Sequence, residues 1–364
     1  MTAVGPVAGH RPRGPRWRRS LGSLLSVALV VAVLAWFLPQ FTSLSDVWAS
    51  VRGMTAVEVV VLLLAAGWNL ATYQFVMVAT MPGLTLRQAT VSSLTTTAVS
   101  NTVVGGAGLA LGLTYAMNSS WGFSRSRTSV SLLVSGLWNN FVKLGTPVLA
   151  LTLLAFSAPP TTGRLAAGLA GVAGLAGAVV VLGLLLRSRE TAARIGTVAG
   201  RAASAVLRLL HRPPVHGWER ATSRFRDRTA LLLHARWPGI TLATVVSHLS
   251  LFLVLLLALR FLGVSGSQVG WAEALAVFAF ARLLTAVPFT PGGLGVVELA
   301  LITGLSAAGG ARASVAAAVL VYRALTYVLP IPLGLGSYVF WRRNRSWRRT
   351  PNSAPRTDLV PETV

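Results

Sequence analysis

The stretch Val287–Leu301, VPFTPGGLGVVELAL, places two prolines and three glycines within eight residues of an otherwise apolar segment. Proline lacks a backbone N–H and favours the first turn of a helix, and glycine lets the chain turn without steric penalty. We therefore predict a break in this segment and a helix from about residue 293 onward. The first N–H groups of such a helix lack intrahelical partners and its dipole is positive there, so this end favours an anion.

The composition is that of an integral membrane protein. Hydrophobic residues make up 54% of the 364 residues, and charged residues make up 11%. A soluble domain could not bury so many apolar side chains. The net charge is +23, but the arginines stand in blocks between apolar runs. Such blocks indicate the cytoplasmic membrane face and its anionic lipids, and we predict no nucleic-acid partner. There is no cysteine, which excludes disulfides and thiolate chemistry.

Apolar runs predict an all-α membrane protein with about eight membrane segments. Full transmembrane helices are predicted at 21–38, 57–79, 128–156, 165–186, 238–262 and 313–341. Glycines interrupt two further stretches, 88–116 and 271–308. Irregular backbone inside a membrane is tolerated only where protein covers it or where it lines a wet cavity. Each interrupted stretch is therefore predicted to be a re-entrant helical hairpin.

The arginine blocks predict the orientation in the cell membrane. The tails 1–20 and 342–364 and the loop 187–236 are rich in arginine, which places both termini in the cytoplasm. The C-terminal tail is predicted to be disordered. Apolar residues between the arginines of the loop predict an amphipathic helix on the cytoplasmic leaflet. Segments with almost no basic residues are predicted to be external: 39–56, 157–163 and 263–270.

The predicted membrane domain, 21–341, divides into two halves of opposite orientation, 21–156 and 165–341. Each half contains two spans, a hairpin and a final span, and the hairpins open to opposite sides. The tips are also alike, with VVGGAGLALGL at 103–113 and TPGGLGVVELAL at 290–301. Inverted repeats with broken helices are typical of secondary transporters. The alternative is that both Gly-Gly sites only permit close helix packing.

The motif PFTPGGLGVVE resembles the transmembrane, flippase-like region of lysylphosphatidylglycerol synthases. The preceding Arg282, the later YRALTYVLPIPLG (322–334) and the earlier NTVVGGAGLALGLTYAM (101–117) fit the same family. The resemblance covers about 21–341 and implies a lipid translocator. The synthases add a large soluble domain, whereas only a short Arg/Pro-rich tail follows Trp341. The resemblance is therefore to stand-alone members, and synthase activity is not carried over.

Charged and polar residues around the two breaks form the predicted headgroup site. Charges inside a membrane are costly and mark functional sites, so Arg282 and Arg323 are predicted to hold a lipid phosphate. Tyr327 follows Arg323 by one turn on the same helix face. The complete predicted set is Arg282, Pro291, Gly292, Gly293, Gly295, Glu298, Arg323, Tyr327, Asn101, Gly105, Gly106 and Lys143.

Several roles stay open for Glu298. It could receive an amine or sugar hydroxyls of the headgroup, carry a proton, or neutralise an arginine. The alternative to a functional role is a structural Arg–Glu network that fixes the hairpin. Lys143, one turn after Asn139, either contributes to the site or belongs to a polar patch between packed helices.

Two further polar features are predicted to lie inside the protein. Nine of the thirteen residues 90–102 are Ser, Thr or Asn, which is too polar to face lipid. They are expected to line the cavity or to pack against the other hairpin. For His248, between Ser247 and Ser250, we favour interhelical hydrogen bonding.

The leading hypothesis is translocation (flipping) of a phospholipid or lipid-linked glycan across the cytoplasmic membrane. No P-loop, acidic metal pair or defensible catalytic triad is present, so we predict neither an enzyme nor a cofactor or metal. The expected partners are membrane lipids with an anionic headgroup or a lipid-linked sugar, and an associated lipid-modifying enzyme or glycosyltransferase. The alternative is an integral membrane enzyme, or an accessory subunit of one, that acts on polyprenyl-phosphate or phospholipid. A structural scaffold is disfavoured by the buried charges.

Overall fold

The structure, a computed structural model, describes residues 51–103, 106–157, 218–285 and 291–344, together with Ala49, Gly177 and Trp347. Within these ranges the regular elements are helices and no strand occurs. Several predictions concern positions outside the described residues. These are the spans 21–38 and 165–186, the tail 1–20, most of the tail 342–364, the first part of the loop 187–236, and Gly105.

The helices of the described ranges are numbered here in chain order. They are α1 Ala56–Thr80, α2 Leu86–Thr102, α3 Gly106–Ser120, α4 Arg125–Ser157, α5 Trp218–Phe261, α6 Trp271–Leu284, α7 Val296–Ala307, α8 Arg312–Arg323 and α9 Pro330–Arg343. A 3₁₀ turn, Pro291–Gly293, precedes α7, and a π-helix, Ala324–Val328, joins α8 to α9.

Three helices of the described ranges are long and apolar enough to cross a membrane. They are α1, the part Ala235–Phe261 of α5, and the continuous stretch Arg312–Arg343. A membrane span needs about 20 apolar residues. These three stretches coincide with the spans predicted at 57–79, 238–262 and 313–341.

Helix α4 coincides with the predicted span 128–156 but is more polar than the other three. Its 33 residues are long enough to cross a membrane. It is not among the sufficiently apolar helices, because Asn139, Asn140 and Lys143 interrupt its middle. One of these side chains lines an internal cavity and another bonds to a neighbouring helix, as described below.

Helix α5 begins earlier than the sequence predicted. It starts at Trp218, twenty residues before the predicted span at 238, and continues through Pro238 without interruption. The predicted loop 187–236 therefore overlaps the start of this helix by 19 residues, counted from 218 to 236. The prediction of an amphipathic helix in the earlier part of that loop lies outside the described residues.

Both interrupted stretches fold as pairs of short helices in contact with each other. Helices α2 and α3 have 17 and 15 residues, and α6 and α7 have 14 and 12. At 1.5 Å per residue these arms are about 18–26 Å long, which is less than the roughly 30 Å of a bilayer core. The helix breaks are therefore as predicted, and the depth of the hairpins in a membrane stays a prediction.

Helices of the two predicted halves pack against each other. The first arm of one hairpin, α2, packs on α9, the final helix of the other half, and the first arm of the second hairpin, α6, packs on α4. Helices α1 and α5, which occupy equivalent places in the two halves, pack on one another. In each predicted half, the first arm of the hairpin therefore packs on the final span of the other half, as expected for two similar halves.

Small residues allow these helices to approach closely. A Cβ added at Gly334 of α9 would lie 2.1 Å from the carbonyl oxygen of Leu94 in α2. A Cβ at Gly304 of α7 would lie 2.6 Å from Cγ1 of Val277 in α6. Lipid tails are as apolar as leucine, so association inside a membrane depends on such close packing and on interhelical hydrogen bonds.

Candidate functional site

The break before α7 depends on glycine conformation. Gly292, Gly293 and Gly295 have φ angles of 58°, 72° and 82°, a region that favours glycine. The helix begins at Val296 and not at 293 as predicted, because Gly295, after the 3₁₀ turn, has a positive φ that interrupts the helix. Pro291 begins that turn, as the sequence indicated.

The tips of the two hairpins meet beside this break. The side-chain amide of Asn101, at the end of α2, donates to the carbonyl of Tyr327 at 3.0 Å. The Tyr327 hydroxyl donates to the carbonyl of Asn101 at 2.6 Å. A Cβ at Gly292 would lie 2.5 Å from Cε2 of Tyr327 and 3.3 Å from the side-chain oxygen of Asn101. The structure therefore brings together three residues that the sequence assigned to the site.

Glu298 and Arg323 form an ion pair that links α7 to α8. The Arg323 Nε–H donates to Oε1 of Glu298 at 2.5 Å, and a terminal guanidinium N–H reaches the Gly292 carbonyl at 3.4 Å. The guanidinium carbon lies 4.4 Å from the centre of the Tyr327 ring, in cation–π range. Only 3% of Glu298 is exposed, and its Oε2 is buried without a hydrogen-bond partner. Of the roles considered for Glu298, the structure shows the ion pair.

A π-helix, Ala324–Val328, lies between Arg323 and Pro330 and contains Tyr327. In a regular helix the ring of Pro330 would clash with the carbonyl four residues earlier, and proline has no N–H to donate. The chain widens before Pro330, so that the Leu329 N–H bonds to the Ala324 carbonyl at 2.8 Å. Single π turns of this kind are frequent at functional sites.

Lys143 and Arg282 meet at the end of α6. The Lys143 ammonium donates to the Thr285 hydroxyl at 2.9 Å, and that hydroxyl donates to the Arg282 carbonyl at 2.6 Å. The threonine was not singled out from the sequence, because one hydroxyl in an apolar run gives no distinctive signal. The contact ties the polar middle of α4 to the tip of the second hairpin.

Arg282 differs from Arg323 in having no partner among the described residues. Its Nε is buried and makes no hydrogen bond, and no carboxylate of the described ranges forms an ion pair with it. Lys143 and Arg323 are both close enough to Arg282 for their positive charges to repel its guanidinium. Glu298 pairs with Arg323, so of the charged side chains described around this site Lys143 and Arg282 are left without a carboxylate partner.

Arg282 lines a cavity of about 210 Å³ that is partly open to the surface and has both polar and apolar walls. The cavity lies where α1, α2, α4, α5, α6 and the start of α9 come together. Its lining is Asn69, Leu70, Tyr73, Val76, Ser93, Leu94, Thr97, Asn139, Thr244, Ser247, His248, Leu251, Arg282, Thr326 and Pro330. This lining contains hydrogen-bonding groups and a cation but no carboxylate.

His248 directs one ring nitrogen to its own helix. Nδ1 lies 3.1 Å from the Thr244 carbonyl, so the predicted interhelical hydrogen bond is wrong. Interhelical bonds are made instead by Asn69 of α1, which donates to the Ser250 hydroxyl at 2.8 Å and to the Ser247 carbonyl at 3.2 Å. Nε2 of His248 is buried without a partner. Because a carbonyl only accepts, Nδ1 carries the proton and Nε2 of the neutral ring is an acceptor.

The Ser/Thr-rich stretch 90–102 serves two purposes. Ser93 and Thr97 line the cavity, as predicted. Its main packing partner is α9 and not the other hairpin, because Gly334 allows the backbones to touch. The hairpin contact is confined to the end of α2.

Gly106 begins α3 as the second arm of the first hairpin. A Cβ there would lie 2.4 Å from the Val99 carbonyl oxygen, so the tight turn requires a glycine.

Within the described residues, no three His, Asp or Glu side chains come together as a metal site.

Comparison with known proteins identifies one family. A family model described as "Lysylphosphatidylglycerol synthase TM region" matches residues 23–334, which is most of the chain. No curated protein matches the sequence. The matched range includes both hairpins, the cavity and the Glu298–Arg323 pair.

Proposed function

The chain belongs to the lysylphosphatidylglycerol synthase TM region family, and from this premise we propose that it translocates a phospholipid or lipid-linked glycan. The headgroup binds between the tips of the two broken hairpins and in the adjoining cavity that Arg282 lines. The acyl chains stay in the surrounding bilayer. The substrate is moved without chemical change, so the protein is not an enzyme.

The observation that carries this proposal is the guanidinium of Arg282, which lines the cavity and has no ion-pair partner among the described residues. A buried charge without a partner is costly, and such groups inside membrane proteins mark substrate pathways. The cavity beside Arg282 supplies neutral hydrogen-bonding groups but no anion of its own. An anionic headgroup would pair with Arg282 and complete the site. No covalent bond would form, so the headgroup could also leave.

Two hairpins that enter from opposite faces would give the headgroup access from either leaflet. Their arms are shorter than a bilayer core, and the end of α2 at Asn101 contacts the turn Pro291–Gly293 of the second hairpin. In the orientation favoured by the arginine blocks, the first hairpin opens to the cytoplasm and the second to the outside, with both termini cytoplasmic. Movement of one half against the other would then alternate access to a central site.

Reconstitution into liposomes tests this function. The protein is incorporated into vesicles that contain fluorescent phospholipids, and a membrane-impermeant quencher measures how fast inner-leaflet lipid appears outside. We expect translocation by the parent protein, loss of translocation in Arg282→Gln, and no change in Arg87→Gln, which alters an exposed arginine of α2. Absence of translocation by a monodisperse parent protein would refute the proposal.

The same vesicles address the enzymatic alternative. Lipid extracts are analysed by mass spectrometry after incubation with the protein, with and without membranes that supply an associated transferase. Translocation with an unchanged lipid mass supports the proposal. A modified lipid formed by the purified protein alone would favour the enzyme.

A further inference from the structure

His248 lies where two cavities meet, and the proposed function does not use it. One cavity is the space of about 210 Å³ that Arg282 also lines. The other is an apolar groove of about 170 Å³ between α4, α5 and α6. The imidazole ring lines both spaces. Its Nε2 atom is buried and makes no hydrogen bond, although the neutral ring is an acceptor at this atom.

Two cations lie close enough to the His248 ring for their charges to act on it. They are Arg282 of α6 and Lys143 of α4, and neither forms an ion pair with a carboxylate of the described ranges. Protonation of Nε2 would add a third positive charge beside them, which is costly where water screens charges poorly. An anion at Arg282 offsets this repulsion. Binding of the anion and protonation of the ring therefore favour each other.

The other titratable groups around the ring supply no counter-charge. Tyr73 of α1 lines the first cavity together with His248, whereas α2, the π-helix and the start of α9 contribute only neutral lining residues. Helix α8 also packs on α5 and carries Tyr322 and Arg323 at its end. Glu298 is already engaged by Arg323. Among the lining residues of this cavity, His248 is therefore the one that can take up and release a proton near neutral pH.

We propose that His248 is a proton-binding site and that each anionic headgroup crosses the membrane together with one proton. This inference rests on the proposed function, because it names what drives the headgroup that Arg282 holds. When the headgroup binds, the Nε2 lone pair accepts a proton from water at the open side of the cavity, and the ring becomes an imidazolium. The proton returns to water on the other side when the headgroup leaves. A negative and a positive charge move together, so the step is electroneutral.

The steady-state distribution of a lipid between the two leaflets tests this coupling. The protein is placed in phosphatidylcholine vesicles that contain a trace of acyl-labelled fluorescent phosphatidylglycerol, an anionic probe. The vesicles are held at about pH 7 inside and about pH 6 outside, around the ordinary titration of histidine. Valinomycin with equal potassium on both sides clamps the membrane potential, and an impermeant quencher reports the label in each leaflet.

One proton per headgroup predicts unequal leaflets. The alkaline inner leaflet should hold about tenfold more label than the outer one, because one pH unit corresponds to a factor of ten in equilibrium constant. Reversing the gradient should reverse the ratio. The mixed orientation of the reconstituted protein does not alter an equilibrium distribution, and vesicles without protein provide the control for leakage.

Two variants assign the effect to one side chain. His248→Gln keeps a hydrogen-bonding group but takes up no proton, so it should bring the label to an equal distribution at any pH gradient. Tyr73→Phe removes the other weakly acidic group among the described lining residues and is the matched control. It should keep the unequal distribution, whatever its rate.

Proton uptake in detergent tests the same site without transport. An indicator dye follows the pH of a weakly buffered solution while dihexanoyl phosphatidylglycerol is added, and a rise in melting temperature reports that this probe binds. The parent protein should take up a proton as the anion binds, whereas His248→Gln should bind the anion and take up none. Binding without proton uptake by the parent protein would overturn the inference, even if His248→Gln fails to fold.

The outcomes separate this inference from the proposed function. Translocation to equal leaflets despite the gradient, or accumulation on the acidic side, would keep the proposed function and reject the shared movement of headgroup and proton. Accumulation that persists in His248→Gln would assign the proton to another group and overturn the role of His248. Proton uptake on binding without any translocation would keep the linkage between the anion and His248 and reject transport.

Discussion

Glu298 and Arg323 are joined at 2.5 Å across α7 and α8, and the same arginine reaches the Gly292 carbonyl and lies over the Tyr327 ring. The Arg323 guanidinium thus contacts the broken backbone at Gly292, helix α7 at Glu298 and the π-helix at Tyr327. Arg282, on the other arm of the hairpin, has no such partners among the described residues. The two arginines that the sequence treated as equivalent therefore have different surroundings: Arg323 is paired with a carboxylate, and Arg282 has no such partner among the described residues.

The ion pair predicts that removing one of its two charges destabilises the protein more than removing both. Glu298→Gln leaves Arg323 buried without its counter-charge, which should lower the free energy of unfolding by about 3–5 kcal/mol. The double variant Glu298→Gln/Arg323→Gln removes both charges and should recover at least half of that loss. Melting temperature and monodisperse yield in detergent measure the effect. A double variant as unstable as the single one would contradict the pairing.

The contrast between the arginines is itself testable. We expect Arg323→Gln to reduce the yield of folded protein, because it strands Glu298 and releases the Gly292 carbonyl. Arg282→Gln should fold at least as well as the parent protein, since it removes a half-buried charge that has no ion-pair partner among the described residues, and should lose translocation. Size-exclusion profiles and liposome assays of both variants decide this. Similar losses of folding in the two variants would argue against distinct roles.

The position of the break could be predicted from the sequence, because the cluster of prolines and glycines at 288–295 has few other uses in an apolar segment. The partner of Glu298 could not be chosen between Arg282 and Arg323, since the choice depends on how α7 packs on α8. Asn69 and Thr285 were missed for the same reason: each bonds to a residue more than a hundred positions away. The start of α7 was misplaced because Gly295 adds a further turn with positive φ.

Gly292 should not tolerate even one added methyl group. Its φ is 58°, and a Cβ would lie 2.5 Å from the Tyr327 ring. We expect Gly292→Ala to separate the hairpin tips, with a lower melting temperature and loss of translocation. Gly112→Ala in α3, where nothing lies within 4 Å of the added carbon, is the matched control and should be neutral or slightly stabilising. Full activity of Gly292→Ala would show that contact between the tips is dispensable.

The contact between α2 and α9 offers a pair of glycines on one helix. A Cβ at Gly334 would lie 2.1 Å from the Leu94 carbonyl oxygen and 2.5 Å from the Cβ of Ala98, whereas one at Gly336 meets nothing within 4 Å. Gly334→Ala should therefore separate the helices and lower the melting temperature, and Gly336→Ala should not. Both substitutions have the same intrinsic helix preference, so a difference between them reports packing alone. Equal effects would mean that α2 does not pack on α9 as described.

The proposed orientation can be tested with single cysteines, because the chain has none of its own. Ser267 lies in the exposed connection between α5 and α6, which carries few basic residues, and Ser124 is exposed before α4 beside Arg125 and Arg127. The positive-inside rule places the first of these positions outside and the second in the cytoplasm. In intact cells an impermeant maleimide should therefore label Ser267→Cys and not Ser124→Cys. Permeabilised cells provide the control, since both cysteines should then react. Labelling of Ser124→Cys from outside, with Ser267→Cys protected, would show that the orientation is the reverse of the predicted one. Each hairpin would then open to the opposite leaflet.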